Sequence, residues 1–130
     1  MGQTTLLDTN IFIYLTKGGL DESTLLRLRN ATISGFNLSV ISKIELLGYT
    51  FPTIEEKEQT ESFIQSSTIF ALTDDIVDKT IELRKAHKIK LPDAIIAATA
   101  LVHDLILISR NDKDFAVIPS LNYNNPFSGD

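Results

Sequence analysis

Five acidic residues lie where apolar segments of the sequence begin or end. Asp8 follows the segment TTLL, Glu45 lies inside VISKIELLG, and Asp93 opens DAIIAATALV. Asp112 and Asp114 follow LILIS. Carboxylates at such positions can cap helices and close turns, or they can gather as oxygen ligands of a hard metal ion. Which of the two applies depends on whether the fold brings them together.

Each acid has a structural explanation when it is taken alone. Asp8 can cap the helix that follows it, and Asp93, directly behind Pro92, is favoured by the dipole of its own helix. Ser42 and Glu45 have the S-x-x-E spacing of a capping box. The acids after LILIS can close a turn. A capping role is therefore the default for any single one of them.

The elements that must position these acids alternate between strand and helix. Short apolar and β-branched runs predict strands at 4–7, 36–41, 68–72 and 105–109, with a last strand at SLNY. Helices are predicted from residue 10, around 21–31, over SKIELLGYTF, and at 53–67, 74–88 and 93–104. In the helix at 74–88, the residues expected to face inward are Ile76, Val77, Ile81 and Leu83. Alternation with fully apolar strands predicts an α/β layer fold with a mostly parallel sheet.

A parallel sheet changes the interpretation of the acids, because everything just after the strands lies at one edge. That edge is where such folds bind ligands. Like charges about 4 Å apart repel by roughly 4 kcal/mol at an effective dielectric near 20, so a cluster of carboxylates there needs a cation. The sequence therefore predicts Mg²⁺, with Mn²⁺ as a substitute, held by oxygen ligands. Carboxylate-held Mg²⁺ activates a water molecule toward phosphodiesters.

Composition sets the broad class. The chain has 130 residues, 43% of them hydrophobic, which suits one globular domain over 1–130 with a short tail at about 123–130. It has no cysteine, which excludes thiolate sites, and its two histidines argue against a histidine-rich zinc site. The net charge of −5 argues against a general nucleic-acid binder unless metal neutralises clustered acids. No signal peptide or membrane span is visible, which predicts a cytoplasmic protein.

Four segments occur in one order: LLDTNIFIYL, SVISKIELL, LPDAIIAATAL and LILISRNDKDF. In this order and spacing the sequence resembles the PIN-domain family, and within it the VapC-type toxins of bacterial toxin–antitoxin pairs. The resemblance extends from Leu6 to about Phe127. It implies a three-layer α/β/α sandwich with a mostly parallel central sheet, and Mg²⁺-dependent ribonuclease activity.

The resemblance also implies roles for the acids. Asp8, Glu45 and Asp93 match the first three acids of the family, as metal ligands and catalytic residues. The fourth position is assigned to Asp114, which precedes a phenylalanine as in the family pattern, and Asp112 is the alternative. Asn10 is expected to orient Asp8, with Ser109 as a similar polar contact.

Substrate contacts are expected beside these acids. The residues assigned to this group are Asn10, Lys43, Ser109, Arg110 and Asn111. A basic run at 84–90, RKAHKIK, is either a phosphate-binding stretch or a solvated helix end. His87 and His103 are assigned to surface or structural positions, because a metal mechanism does not need them.

Partners follow from the resemblance as well. Such toxins form homodimers, and a VapB-like antitoxin covers the active-site groove with its C-terminal segment; the substrate is RNA. Phe12 and Leu47 are expected in the core, whereas Tyr49 and Phe51 are open between the core and this groove or the dimer surface. The position of Tyr14 is open in the same way.

Two other functions compete with a ribonuclease. The chain could be another Mg²⁺-dependent phosphoesterase on an α/β fold, although the D-x-D nucleophile pattern is missing at Asp8. It could also be a catalytically silent PIN-like module that only binds a protein, which the filled acid positions disfavour. A dinucleotide-binding fold has no support, because no G-x-G-x-x-G stretch exists.

Overall fold

The computed structural model describes residues 4–127, so the last three residues of the predicted tail lie outside it. The strands are β1 (Thr5–Leu7), β2 (Asn37–Ser39), β3 (Thr68–Phe70), β4 (Ile106–Ile108) and β5 (Tyr123–Asn124). The helices are α1 (Thr9–Lys17), α2 (Glu22–Ala31), α3 (Val40–Leu47), α4 (Ile54–Ser66), α5 (Asp74–Ala86), α6 (Leu91–His103) and α7 (Asp112–Phe115).

All strand pairs in the described chain are parallel. One sheet has the order β1-β4-β5, with Leu7 opposite Ile108, and the other pairs β2 with β3. β2 lies next to β1, and the Asn37 Nδ2 donates to the Thr5 carbonyl oxygen at 2.9 Å. The side-chain amide thus joins the two sheets where a backbone ladder is interrupted. The predicted parallel α/β architecture is confirmed.

Alternation along the strands divides the core in two. Leu6 and Leu107 are fully buried on one face, against α5, α6 and the α7 region. Leu7 and Ile108, one residue later in each strand, are buried on the other face against α1 to α4. Because successive strand side chains point to opposite faces, the layer of strands separates two helical layers. This is the three-layer sandwich.

α6 is the most buried helix, and its composition explains this. Seven consecutive residues from Ala94 to Ala100 are buried, and alanine allows close approach of the neighbouring backbone while favouring the helix. Pro92 lies in its first turn, where the missing N–H costs nothing. The rigid position of this helix fixes the acid in its first turn, Asp93.

The predicted capping box at Ser42 and Glu45 is wrong. The strand ends at Ser39, two residues earlier than expected, and Ser39 caps α3 by accepting from the Ile41 N–H at 3.1 Å. Ser42 is therefore inside α3 and fully buried. This places Glu45 on the second turn of the helix, free of any capping function.

Three further expectations differ from the structure. Ile76 is buried but Val77 and Ile81 are 38% and 49% exposed, because the inward face of α5 is narrower than its apolar stripe. The helix α7 was not predicted. The last strand lies at Tyr123–Asn124 rather than over SLNY, and Tyr123 pairs opposite Leu107. These two residues therefore belong to the sheet and not to the predicted tail.

Candidate active site

A cleft of about 940 Å³ opens beyond the carboxyl ends of β1 and β4. Its lining includes all four carboxylates assigned from the sequence: Asp8, Glu45, Asp93 and Asp114. They come from the end of β1, from α3, from the first turn of α6 and from α7. The fold therefore brings these four acids to one cavity, as the strand-end argument predicted.

Asp8 is the N-cap of α1 and is buried at the bottom of this arrangement, with 8% of its surface exposed. Its Oδ1 accepts from the Thr9 N–H and its Oδ2 accepts from the Ser109 hydroxyl, both at 2.8 Å. Burial raises the pKa of Asp8 despite these two hydrogen bonds, and the charges of Glu45 and Asp114 raise it further. Asp8 is thus both a cap and a member of an acidic cluster.

Ser109 follows β4 and is fully buried. Its hydroxyl donates to Asp8 and accepts from the Asn111 N–H at 2.9 Å. A substrate contact, as assigned from the sequence, does not fit a side chain without solvent exposure. The polar contact to Asp8 that was also expected of it is present.

Glu45 is held by a chain of hydroxyls. The Thr9 Oγ1 donates to Glu45 Oε1 at 2.6 Å and lies 2.9 Å from the Ser42 Oγ. Because the single Thr9 hydroxyl proton is directed at Glu45, Ser42 must be the donor to Thr9. Thr9 and Ser42 thereby orient Glu45, a role that the sequence analysis missed. The only feature of the sequence that pointed to this role was the position of Thr9, directly after Asp8.

Asp93 has the most perturbed carboxyl of the site. Its pKa is raised to about 6, first by burial and then by the charge of Asp8. A hydrogen bond from the protonated Asp93 to Asp114, and the charges of Asp114 and Glu45, raise it further. Without a cation, burial and the neighbouring carboxylates therefore favour the protonated form of Asp93 at mildly acidic pH.

The two candidates for the fourth acid have different surroundings. Asn111 caps α7, and its Nδ2 donates to Asp114 Oδ2 at 2.9 Å, which fixes Asp114 toward the cleft. Asp112 does not line the cleft; its Oδ1 accepts from the Tyr123 hydroxyl at 2.6 Å and from Asn125 Nδ2 at 3.1 Å. These hydrogen bonds lower the pKa of Asp112. The geometry favours Asp114 over Asp112.

The carboxylates do not form a preassembled metal site. Among residues 4–127, no three His, Asp or Glu side chains are placed so that together they could hold a metal ion. Ser109 and Thr9 occupy one oxygen each of Asp8 and Glu45, and Asp93 is hydrogen-bonded to Asp114. In chemical type the donor set still fits Mg²⁺ or Mn²⁺, since it consists of carboxylate oxygens around one cleft. Binding requires these side chains to turn toward the ion.

Only some of the other residues assigned to substrate binding lie in the cleft. Asn10, Arg110 and Asn111 line the cleft, whereas Lys43 is exposed on α3 and is not part of the lining. The hydrogen bonds to Asp8 described above come from Thr9 and Ser109, so the orienting role expected of Asn10 is filled by them.

Two further cations belong to the lining, Lys17 and Lys90, which end α1 and precede α6. Sequence reasoning included Lys90 only as part of the run 84–90, and Lys17 had no signal at all.

Several aromatic side chains line the cleft. Tyr14, Tyr49 and Phe51 line it, and Tyr49 is 61% exposed with its ring edge-on to Phe51 at 5.6 Å. Phe12 is in the core as expected, stacked on Phe63 with ring centroids 4.3 Å apart. The core position expected for Leu47 is wrong, because this side chain is 37% exposed.

Comparisons with known proteins identify the family and the fold. The family model for the PIN domain matches residues 5–121. A comparison with curated protein sequences finds no match.

Among solved structures, a toxin–antitoxin complex from Klebsiella pneumoniae is 34% identical with a TM-score of 0.74, over 95% of this chain and 98% of that one. FitAcB from Neisseria gonorrhoeae is 21% identical with a TM-score of 0.77, over 96% and 99%. The DNA-bound VapBC from Salmonella typhimurium is 21% identical with a TM-score of 0.76, also over 96% and 99%.

Proposed function

The chain belongs to the PIN domain family, and from this membership we propose that it is a metal-dependent endoribonuclease, the toxin of a VapBC-type toxin–antitoxin pair. The observation that carries the proposal is the convergence of Asp8, Glu45, Asp93 and Asp114 on one cleft, from four separate elements. Four unrelated helix caps would have no reason to share a cavity, since their charges repel. A common cation gives them one.

The four acids are the proposed ligands and catalytic residues, with Mg²⁺ as the metal and Mn²⁺ as a substitute. The bound metal supplies an activated water and stabilises the leaving oxygen of a phosphodiester. Ser109 keeps Asp8 turned into the cleft, and Thr9 does the same for Glu45. Asp93, whose pKa is raised to about 6, would hold the cation in its ionised form, because ligands must be deprotonated.

The proposed substrate is RNA, bound by its backbone. Lys17, Lys90 and Arg110 line the cleft, so the acidic centre is bordered by positive charge although the chain as a whole carries −5. Cations at the rim and a metal at the centre offset the repulsion between phosphates and the four acids. Asn10 and Asn111 offer amide groups in the same lining and are the proposed polar contacts to the strand.

The proposed protein partners are a VapB-like antitoxin and a second copy of this chain. The 34% identical neighbour is a toxin–antitoxin complex. The exposed Tyr49 and its neighbour Phe51 give the cleft an apolar wall, which suits a peptide segment that would block access to the acids. No helix within residues 4–127 has the length and apolarity to cross a membrane. We propose the cytoplasm as the compartment, since RNA is the substrate.

A second candidate is a module that binds its partner without catalysis. One observation favours it, namely that no three of the described acidic or histidine side chains are arranged to hold a metal. A different Mg²⁺-dependent phosphoesterase is the remaining alternative. The following experiment distinguishes all three.

Purified protein without antitoxin is incubated with a panel of structured RNAs in Mg²⁺, in Mn²⁺ and in EDTA, beside Asp8→Asn. We expect cleavage that requires metal and disappears in a variant that remains folded by circular dichroism. If folded protein binds Mn²⁺ but does not cleave any RNA, small phosphoesters are tested next. Absence of both metal binding and cleavage overturns the nuclease and leaves the binding module.

A further inference from the structure

The guanidinium of Arg110 lies against two aromatic rings at the cleft. Its guanidinium carbon lies 5.4 Å from the Tyr14 ring centroid and 4.6 Å from the Phe127 ring centroid. The centroids of the Tyr14 and Phe127 rings are 4.7 Å apart and their planes are inclined at 59°. Together the two rings form an aromatic corner that contacts the cation. A guanidinium over an aromatic face is attracted by the ring quadrupole, and two rings restrict its orientation.

The donors of Arg110 remain available. Within the described part of the chain, its side chain forms no hydrogen bond and no ion pair; the ion pairs present there are Lys57–Glu61 and Lys79–Glu82. This is unexpected for a cation lining a cleft that contains four carboxylates. The aromatic corner explains it, because it holds the guanidinium in place by its faces and leaves the N–H edge unengaged.

The backbone that carries Phe127 is anchored by hydrogen bonds. The Phe127 N–H donates to Asn125 Oδ1 at 2.8 Å, and Asn125 in turn donates to Asp112. Arg27 donates to the Pro126 carbonyl oxygen, which ties the same segment to α2. The segment that follows β5 is thereby anchored on both sides. The fold therefore brings three separate segments together here: α1 supplies Tyr14, the loop after β4 supplies Arg110 and the segment after β5 supplies Phe127.

We propose that Tyr14 and Phe127 position Arg110 as a contact for a backbone phosphate of the nucleic-acid strand in the cleft; this rests on the proposed ribonuclease function. A planar guanidinium binds a phosphate through two parallel N–H donors, and a preoriented fork loses less entropy when it does so. Phosphate suits the site better than a single protein carboxylate, because Lys17 and Lys90 line the same cleft and three separated cations match a polyanion.

The test measures binding of a short labelled single-stranded RNA to the full chain in EDTA, where no cleavage occurs. Phe127→Leu retains apolar volume without a ring, Phe127→Tyr retains the ring, and Arg110→Lys retains charge without a planar fork. We expect Phe127→Leu and Arg110→Lys to lose affinity about fivefold, and Phe127→Tyr to bind like the unmodified protein. Arg110→Ala should also reduce the slope of log affinity against log salt by about 0.7 to 1.

Arg29→Ala is the matched control, since Arg29 is exposed on α2 and does not line the cleft. Unchanged RNA affinity in both Phe127→Leu and Arg110→Lys, or absence of RNA binding by the unmodified protein, overturns the proposal. If these variants weaken only the complex with a protein partner, the corner is a protein contact instead. If Arg110-dependent RNA binding occurs without cleavage in Mg²⁺ or Mn²⁺, the nuclease proposal fails while the phosphate contact stands.

Discussion

The Ser109 hydroxyl donates a 2.8 Å hydrogen bond to Asp8 Oδ2, across 101 positions of the sequence. The two residues directly follow β1 and β4, which pair in parallel with Leu7 opposite Ile108. The sheet register therefore places a buried donor beside a buried carboxylate. Since Ser109 also accepts from the Asn111 N–H, one hydroxyl connects the first acid to the turn that carries the fourth.

Ser109→Ala should weaken metal binding at Asp8, although the buried Ser109 side chain does not contact the substrate. Removing a buried donor to an ionised carboxylate costs about 1.5 to 3 kcal/mol, and residues that orient metal ligands are worth about 10- to 100-fold in metal affinity or activity. We expect the apparent Mg²⁺ requirement for RNA cleavage to rise by a factor within that range. Ser109→Thr retains the hydroxyl and is the control. An alanine variant with unchanged metal dependence contradicts the orienting role.

Thr9 offers a separate test, on Glu45. Thr9→Val has nearly the same shape but lacks the hydroxyl that donates to Glu45 Oε1 at 2.6 Å. We expect Mn²⁺ affinity, measured by calorimetry, to fall about tenfold, because the ligand is no longer held toward the cleft. Thr9→Ser should restore it. Equal Mn²⁺ affinity in Thr9→Val and the unmodified protein would show that Glu45 needs no such support.

Asp112 and Asp114 are two residues apart, and exchanging each for asparagine separates their roles. Asp114 lines the cleft and is fixed by Asn111, so Asp114→Asn should abolish metal-dependent cleavage with little loss of structure. Asp112 holds Tyr123 of β5, so Asp112→Asn should lower the melting temperature and leave cleavage largely intact. Tyr123→Phe should reproduce the effect of Asp112→Asn. Loss of cleavage in Asp112→Asn alone would reverse the assignment.

Apolar patterning was sufficient to predict where Asp8 and Asp93 lie, because one follows a strand and the other begins a helix; Glu45 lies on the second turn of α3 and Asp114 lies in α7, which the patterning did not predict. Asp8 directly follows β1, and Asp93 begins a helix whose alanines require burial. Parallel pairing then brings them to one edge without knowledge of any side-chain contact. The resemblance to a known family added the expectation of ribonuclease activity and the choice of Asp114 as the fourth acid.

Contacts between segments that are distant along the chain could not be predicted from the sequence. The corner around Arg110 joins Tyr14 to Phe127, and nothing in either local pattern indicates that these rings meet. The error at Ser42 has a different cause: its spacing to Glu45 fits a capping box, but Ser39 is an equally good cap and the strand ends there. Val77 and Ile81 are exposed because apolar periodicity does not reveal how much of a helix face a neighbour covers.

Asp93 should make the metal-free protein less stable as the pH rises. Its pKa is about 6 in the folded chain and near 4 when unfolded, so the folded state binds more protons between these values. Its stabilising protonated form is therefore lost as the pH increases through 6, and the penalty for the ionised cluster persists above that. In EDTA, the free energy of unfolding by urea should contain an Asp93 contribution that is more favourable at pH 5 than at pH 7.

Asp93→Asn isolates this contribution from all other titrating groups, including Asp21 and Asp112, whose lowered pKa values act in the opposite direction at more acidic pH. We expect the variant to be more stable than the unmodified protein at pH 7, with the difference shrinking at pH 5. Added Mg²⁺ should stabilise the unmodified protein at pH 7 and leave Asp93→Asn nearly unaffected. A variant that is less stable at pH 7 would instead mean that Asp93 serves mainly the first turn of α6, and that the repulsion between the acids is too weak to require a cation.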